Sequence, residues 1–384
     1  MAEGSRRQLI YVAESVWGTT PDTPSCKTLR NSGGAGIKIA RQTNQSQEYR
    51  TDRAVADLRL GNKSPSLDVP FEFSYGSQDD FLEGALFGAF ALAYALTAQT
   101  VTVVAATKKF SRAAGSFVAD GVKVGDKFIT TGFEAAGNNG TFIVTVVEAL
   151  EVTCGAATGL ENVTDDAGVA ITTTRYVLKQ AATSKFFSIE EGFLDLDLQQ
   201  ILTGAMVNSL SLDIKPNAIV TGTIGLLGKA ASAFSASSID ESPDAASTTS
   251  PFDSYTGSLK EGDVTIAVVT GLTLNMQNGL ETMFALFDDD PYRIGVGRAN
   301  LTGTLSAYFI SADLANKFIA ETESSLELVL TDLAGNSYNI LVPRIKYTGA
   351  DKSMTENNVA IDLPFQALYS STQSTALRID RIPV

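Results

Sequence analysis

Residues 324–350 read SSLELVLTDLAGNSYNILVPRIKYTGA. Two runs of alternating apolar and polar residues flank Ala334-Gly335-Asn336-Ser337, the pattern of half-buried strands on either side of a tight hairpin turn. Working outward, AVVTGLTLNMQNG (267–279), NLTGTLSAYFI (300–310) and NNVAIDLPFQALY (357–369) each predict another strand. One short helix interrupts them over residues 313–321, with Ser311 as its N-cap and Leu314, Phe318 and Ile319 on one side. A last third of this kind predicts a mainly β protein.

The remainder extends that reading. Leu67, Val69, Phe71, Phe73 and Tyr75 alternate with polar residues, and Pro70 favours an edge position. The apolar run from Phe81 to Leu96 predicts a buried helix behind Asp79 and Asp80; it is shorter than the ~20 residues that span a bilayer and contains Glu83. Short strand-like runs (VTVVAA, FITTG, TFIVTVV, LEVTCG, VAITTTRYVL) then predict a small β domain, a sandwich or barrel inserted at residues 98–178. After it, residues 187–214 predict a strand, a helix around Phe193–Leu202 and an alternating strand through Leu210, Leu212 and Ile214. Residues 219–227 form a further strand, and the Ser/Ala/Asp-rich stretch 231–259 is a polar linker.

Two segments stand apart. Residues 1–36, with Gly18, Pro21, Pro24 and the glycine cluster 33–36, read as an N-terminal arm whose Tyr11 and Trp17 need a surface on which to dock. Residues 42–63 read as an exposed extended loop or hairpin in which Arg50, Arg53 and Arg59 alternate with Glu48, Asp52 and Asp57. A segment that long and polar points to contact with another subunit, and Tyr11, Trp17, Tyr49, Arg50, Arg53, Asp57 and Arg59 are the contact candidates. The rest, 37–97 and 179–384, forms one discontinuous β domain.

Composition narrows the chemistry. The 384 residues contain no histidine, which removes the usual general base near neutral pH and the commonest zinc ligand. Cys26 and Cys154 are far apart and lack CxxC spacing, so they read as isolated buried thiols. The formal charge of −14 opposes free-standing binding to nucleic acid. No phosphate-binding, dinucleotide, nucleophile-elbow or zinc-protease motif occurs. Asp288-Asp289-Asp290 lacks the ligand spacing and glycine of a calcium loop and reads as an exposed acidic turn. No catalytic, cofactor or metal residue is assigned, and the chain is expected not to be an enzyme. Residues 1–11 show no export signal, so the protein is expected in a cytoplasm.

Several phrases, in order, resemble the major tail tube protein family of long-tailed, siphovirus-like bacteriophages. They are YVAESVWGTTPDTP, QSQEYRTDRAVADLRLG, NLTGTLSAYF, LANKFIAETESSLELVLTD, AGNSYNILVPRIKYTGAD and LPFQALYSSTQSTALRIDR. The resemblance implies a β-sandwich or barrel with a flanking helix, whose copies close into rings, usually hexamers, that stack into a tube passing double-stranded DNA without specific binding. It implies self-association, contact with tape measure, tail terminator and distal tail proteins, no cofactor, and a place in the virion tail after assembly in the host cytoplasm. It puts the insert 98–178 on the outside. Contractile and non-contractile tails both remain open. The competing expectation is a carbohydrate- or host-surface-binding module, for which Phe128, Phe133 and Phe142 of the insert would be the contacts, although buried core is the favoured reading of all three.

Overall fold

The computed structural model describes residues 3–266 and 268–384, Ser5 by its backbone alone; the first two residues of the expected arm and Ala267 lie outside the described residues. The chain is mainly β, and it divides into two compact units. One comprises Met1–Gly88, Lys179–Leu333 and Ile340–Arg378; the other comprises Ala89–Leu178, Ala334–Asn339 and Ile379–Val384.

The first unit is organised by its longest strand, Leu198–Ile214. Its C-terminal half lies between the strands Thr221–Leu227 and Val269–Gln277, with Leu212 opposite Gly222 on one side and Leu274 on the other. The antiparallel ladder continues through Asn300–Tyr308 to Val359–Ala367 on one flank. On the other flank it continues through Leu58–Glu72 to Lys38–Gln45. Alternate residues supply the core: Leu67, Val69 and Phe71, then Leu210 and Leu212, then Leu305, Leu363 and Phe365 are all buried.

The N-terminal half of Leu198–Ile214 pairs instead with Phe186–Phe193, which pairs with Arg7–Glu14. The change of partner falls at Gly204, which has φ +63. Its N–H donates to Glu14 Oε1 (2.8 Å), its carbonyl accepts Trp17 Nε1–H (3.0 Å), and a Cβ there would sit 2.7 Å from Trp17 Nε1. Only glycine meets both the left-handed backbone and the close approach.

Three expectations are corrected here. Residues 7–14 are an integral strand of this unit, not part of a loose arm. The segment expected to be helical around Phe193–Leu202 is a strand–turn–strand, because Phe193 pairs with Leu198 across a turn containing Asp197 at φ +52. The helix expected to reach Leu96 spans only Asp79–Leu86. It ends where Phe87 turns left-handed and Gly88 N–H bonds Glu83 O (3.1 Å). Its buried face still does what the sequence requires: Phe81 lies 4.8 Å, ring to ring, from both Tyr11 and Phe187.

The polar stretch 231–259 has little regular structure but is stitched to the sheet. Ser235 exchanges backbone hydrogen bonds with Gln199, Asp244 N–H donates to Cys26 O, and Phe252 is fully buried. The expected helix forms over Asp313–Ile319, but Ala312 rather than Ser311 is its N-cap, Ala315 is its buried residue and Ile319 is exposed.

The second unit is built on a closed six-stranded barrel. Around it run Glu151–Gly155, Lys109–Ser111, Ala95–Val104, Val163–Thr172, Lys127–Thr131 and Gly140–Val147. Phe110 sits at its centre, 5.4 Å from Phe128 and 5.2 Å from Phe142. Arg175, only 2% exposed, donates to Asp126 (2.7 Å), to Asp380 (3.2 Å) and to Gly121 O (2.6 Å), tying the chain's last strand to the barrel unit. A buried cation is tolerable only with this many partners. Both cysteines are free and buried, and burial pushes the Cys154 thiol up to about 12.

Candidate assembly interface

The strands Lys38–Gln45 and Leu58–Glu72 form a long hairpin closed by Ser46 N–H donating to Asp57 O (2.9 Å). Ser66–Glu72 is held in the sheet by Thr221–Leu227. Leu58–Ser64, in contrast, has a ladder, among the described residues, only with Lys38–Gln45. Those seven residues make a two-stranded ribbon of about 24 Å at 3.4 Å per residue. An isolated two-stranded ribbon is marginal in water, and every residue of Lys38–Gln45 is exposed.

The hairpin's charge sets it apart. Residues 38–63 hold six cations (Lys38, Arg41, Arg50, Arg53, Arg59, Lys63) against three anions (Glu48, Asp52, Asp57), a net +3 in a chain of −14. At its base, Lys63 Nζ lies 2.9 Å from Asp289 and 3.4 Å from Asp290, and Arg41 Nη2 lies 2.8 Å from Asp289. Two hairpin cations therefore offset the charges of Asp289 and Asp290. The hydrogen bond from Lys63 holds the Asp289 carboxyl below the usual carboxylate range.

At the tip, Arg50 grips Asp52 through two hydrogen bonds (3.0 and 2.7 Å), which hold the Asp52 carboxyl below its ordinary range, and Arg59 pairs with Asp57 (3.1 Å). Arg53 stands between them at φ +61 with no carboxylate partner among the described residues. Tyr49 is fully exposed, as are more than half of Val55, Leu58 and Leu60.

Of the seven residues expected to contact another subunit, five share this element: Tyr49, Arg50, Arg53, Asp57 and Arg59. The other two are engaged inside the subunit. Tyr11 is 5% exposed and its hydroxyl donates to Asp80 Oδ2 (2.9 Å); burial, with the Asp80 charge, pushes that hydroxyl above the usual tyrosine range. Trp17 bonds Gly204 O and carries Lys229 Nζ 4.8 Å over its ring.

Sequence reasoning missed a second exposed element. Glu281–Met283 pairs with Arg293–Gly295, and their connection presents Leu286 (86% exposed), Phe287 (105%) and Tyr292 (71%) beside the aspartates that grip the hairpin base. The signal was there in FALFDDDPY: large apolar residues next to three carboxylates form a poor core segment. Grouped apolar side chains at the surface mark interaction sites.

The insert offers no comparable surface in the residues singled out for host binding. Phe128, Phe133 and Phe142 are 0%, 5% and 8% exposed and form the barrel core, the reading favoured for them from the sequence over host contact.

The open ribbon thus carries an exposed tyrosine, exposed apolar residues and concentrated charge. Residues 4–367 match the family model described as phage tail tube protein. The chain belongs to the phage tail tube protein family. No curated protein matches it. As a tail tube protein it is a structural component of a phage tail, and self-assembly with association to other tail proteins follows from the family. Among the described residues, no helix is long and apolar enough to cross a membrane.

Proposed function

We propose that this tail tube subunit closes into rings, six copies each, that stack into a hollow tube delivering double-stranded DNA to the host. The observation that carries the reading is the Lys38–Glu72 hairpin, whose outer strand is wholly exposed and whose ribbon, among the described residues, has no further strand laddered to it. Pairing such edges with another copy removes the hazard of an open sheet edge, and ring closure uses every copy equivalently. Six copies at −14 give a formal −84 per ring. Whatever share of it faces the lumen repels a polyanion within one Debye length, about 8 Å at physiological salt, which favours sliding over sticking. The tube would meet the tape measure, tail terminator and distal tail proteins at its ends and along its lumen, and assemble in the host cytoplasm.

Negative-stain electron microscopy of the purified chain over a concentration series, with light scattering for mass, tests this. Rings or hollow tubes with six-fold projections are expected. A monomer at every concentration counts against self-assembly, and rings of another symmetry overturn the hexamer.

A further inference from the structure

The strands Arg7–Glu14, Phe186–Phe193 and Leu198–Ile214 lie side by side with Gln8 opposite Gly192 and Gly192 opposite Gln199. The segment 236–243 stands against this triplet and walls a recess of about 380 Å³. Four carboxylates line it, Glu190, Asp197, Asp240 and Glu241, and no lysine or arginine does. The absence of a side chain at Gly192 leaves the floor open.

Two of the carboxylates hold the wall. Glu190 accepts hydrogen bonds from Ser238 Oγ (2.8 Å) and Ile239 N (2.7 Å), and Asp240 accepts from Cys26 N (2.8 Å) and Ser242 N (2.9 Å). Asp197 and Glu241 are exposed at the recess. Gln199 lines it too, 8% exposed, with its Oε1 buried and without a hydrogen-bond partner. Its Nε2 faces Asp197 Oδ1 at 3.5 Å. A buried acceptor without a donor is costly. Surplus negative charge around such an acceptor is matched by a planar cation with several N–H donors, which is a guanidinium.

Arg53 has that chemistry and the right exposure. Its hairpin neighbours Arg50 and Arg59 are paired with Asp52 and Asp57, whereas Arg53 is not. It is held in a left-handed conformation, φ +61, that non-glycine residues adopt uncommonly. It crowns a ribbon of net positive charge whose tip residues are exposed in their own subunit. We infer that the recess lined by Glu190, Asp197, Gln199 and Glu241 receives Arg53 from the hairpin tip of a second copy of this chain. The inference rests on the self-assembly reading and adds to it a socket and a knob.

Two measurements separate the inference from that reading. In the first, Arg53→Glu and Gly192→Val are assembled as full chains. Gly192 sits in a strand with ordinary backbone, so valine there fills the recess without backbone strain. Each is expected to raise the concentration at which tubes form at least tenfold with an unchanged melting temperature. Arg53→Glu combined with Glu241→Arg is expected to recover most of the loss. In the second, a labelled Gly192→Val chain, which keeps Arg53 but has its recess filled, is titrated with the dilute Arg53→Glu chain, which keeps the recess; the pair can make this one contact without a tube. Saturable binding is expected, weakened at least tenfold when the labelled chain also carries Arg53→Glu. Equal binding with and without Arg53 on the labelled chain overturns the socket even where tubes form. Absence of tubes with intact, Arg53-dependent binding of the pair overturns the tube reading and keeps the socket.

Discussion

The barrel and the Lys38–Glu72 hairpin are both antiparallel β-structure, yet they solve the edge problem in opposite ways. The barrel closes its six strands on one another, packs Phe110, Phe117 and Phe128 at 0% exposure, and completes itself with Arg175 and two buried aspartates. Nothing in its ladder asks for a partner. The hairpin leaves one strand bare, exposes Tyr49, and holds Arg53 at its tip with no carboxylate partner among the described residues. Closure yields a self-sufficient module, and an open edge yields an instruction to associate.

The sharpest way to break this contrast is to remove the open element. Replacing residues 46–57 with an Asn-Gly turn should abolish assembly, raising the required concentration by about 100-fold or more, with the circular dichroism spectrum and melting of the subunit retained; both are checked on the same purified protein. Loss of the folded subunit would instead make the tip a folding element.

The complementary change hollows the closed element. Phe128→Ala deletes a fully buried ring and should destabilise the barrel by about 3–5 kcal/mol. Hydrogen exchange should report this in residues 95–172, with tubes still forming in the cold. If assembly fails as completely as in the tip variant, the two regions are not functionally separate.

The smallest effect is expected at the hairpin base. Asp289 has its folded pKa depressed, chiefly by the hydrogen bond from Lys63. Its contribution is therefore fully present above the unfolded carboxylate range, near 4, and is lost as pH falls through the lower folded value. Faster amide exchange in residues 38–45 and 58–64 is expected as pH drops below about 4, after correction for intrinsic rates, and Asp289→Asn should show it already at pH 7.

Much of the architecture was legible. The alternation in residues 324–350, 300–310 and 357–369 survives as strands because one face of each is buried, and a period of two leaves no other arrangement. The helix behind Asp79 and Asp80 was legible at its start but not its end. Phe81–Leu96 is largely apolar apart from Glu83, and that apolar count outweighed the stop signal at Gly88, which follows a left-handed Phe87 where the chain leaves for the barrel unit. Leu194, Leu196 and Leu198 misled as a helix for a related reason. They are partly exposed on a turn, and their apolar count outweighed their period of two. Within the candidate interface, the mixed-charge hairpin was visible as a run of arginines and acids. The role of Asp289 was not, since its partners Arg41 and Lys63 lie more than 200 residues away in the chain.

By itself, then, the sequence determined the class of the protein. Missing histidine, a formal −14, strand-period alternation and a polar, arginine-rich excursion after residue 41 all follow from residue identity and local spacing. Only the tertiary structure decided which of those features meet. It drew residues 7–14 into a strand, sealed Arg175 against Asp126 and Asp380, clamped the hairpin on Asp289, and opened an acidic recess over Gly192. The physical reason is common to all four. Burial and long-range pairing depend on what the folded chain brings alongside a residue, and local sequence sets only what that residue has to offer when its neighbour arrives.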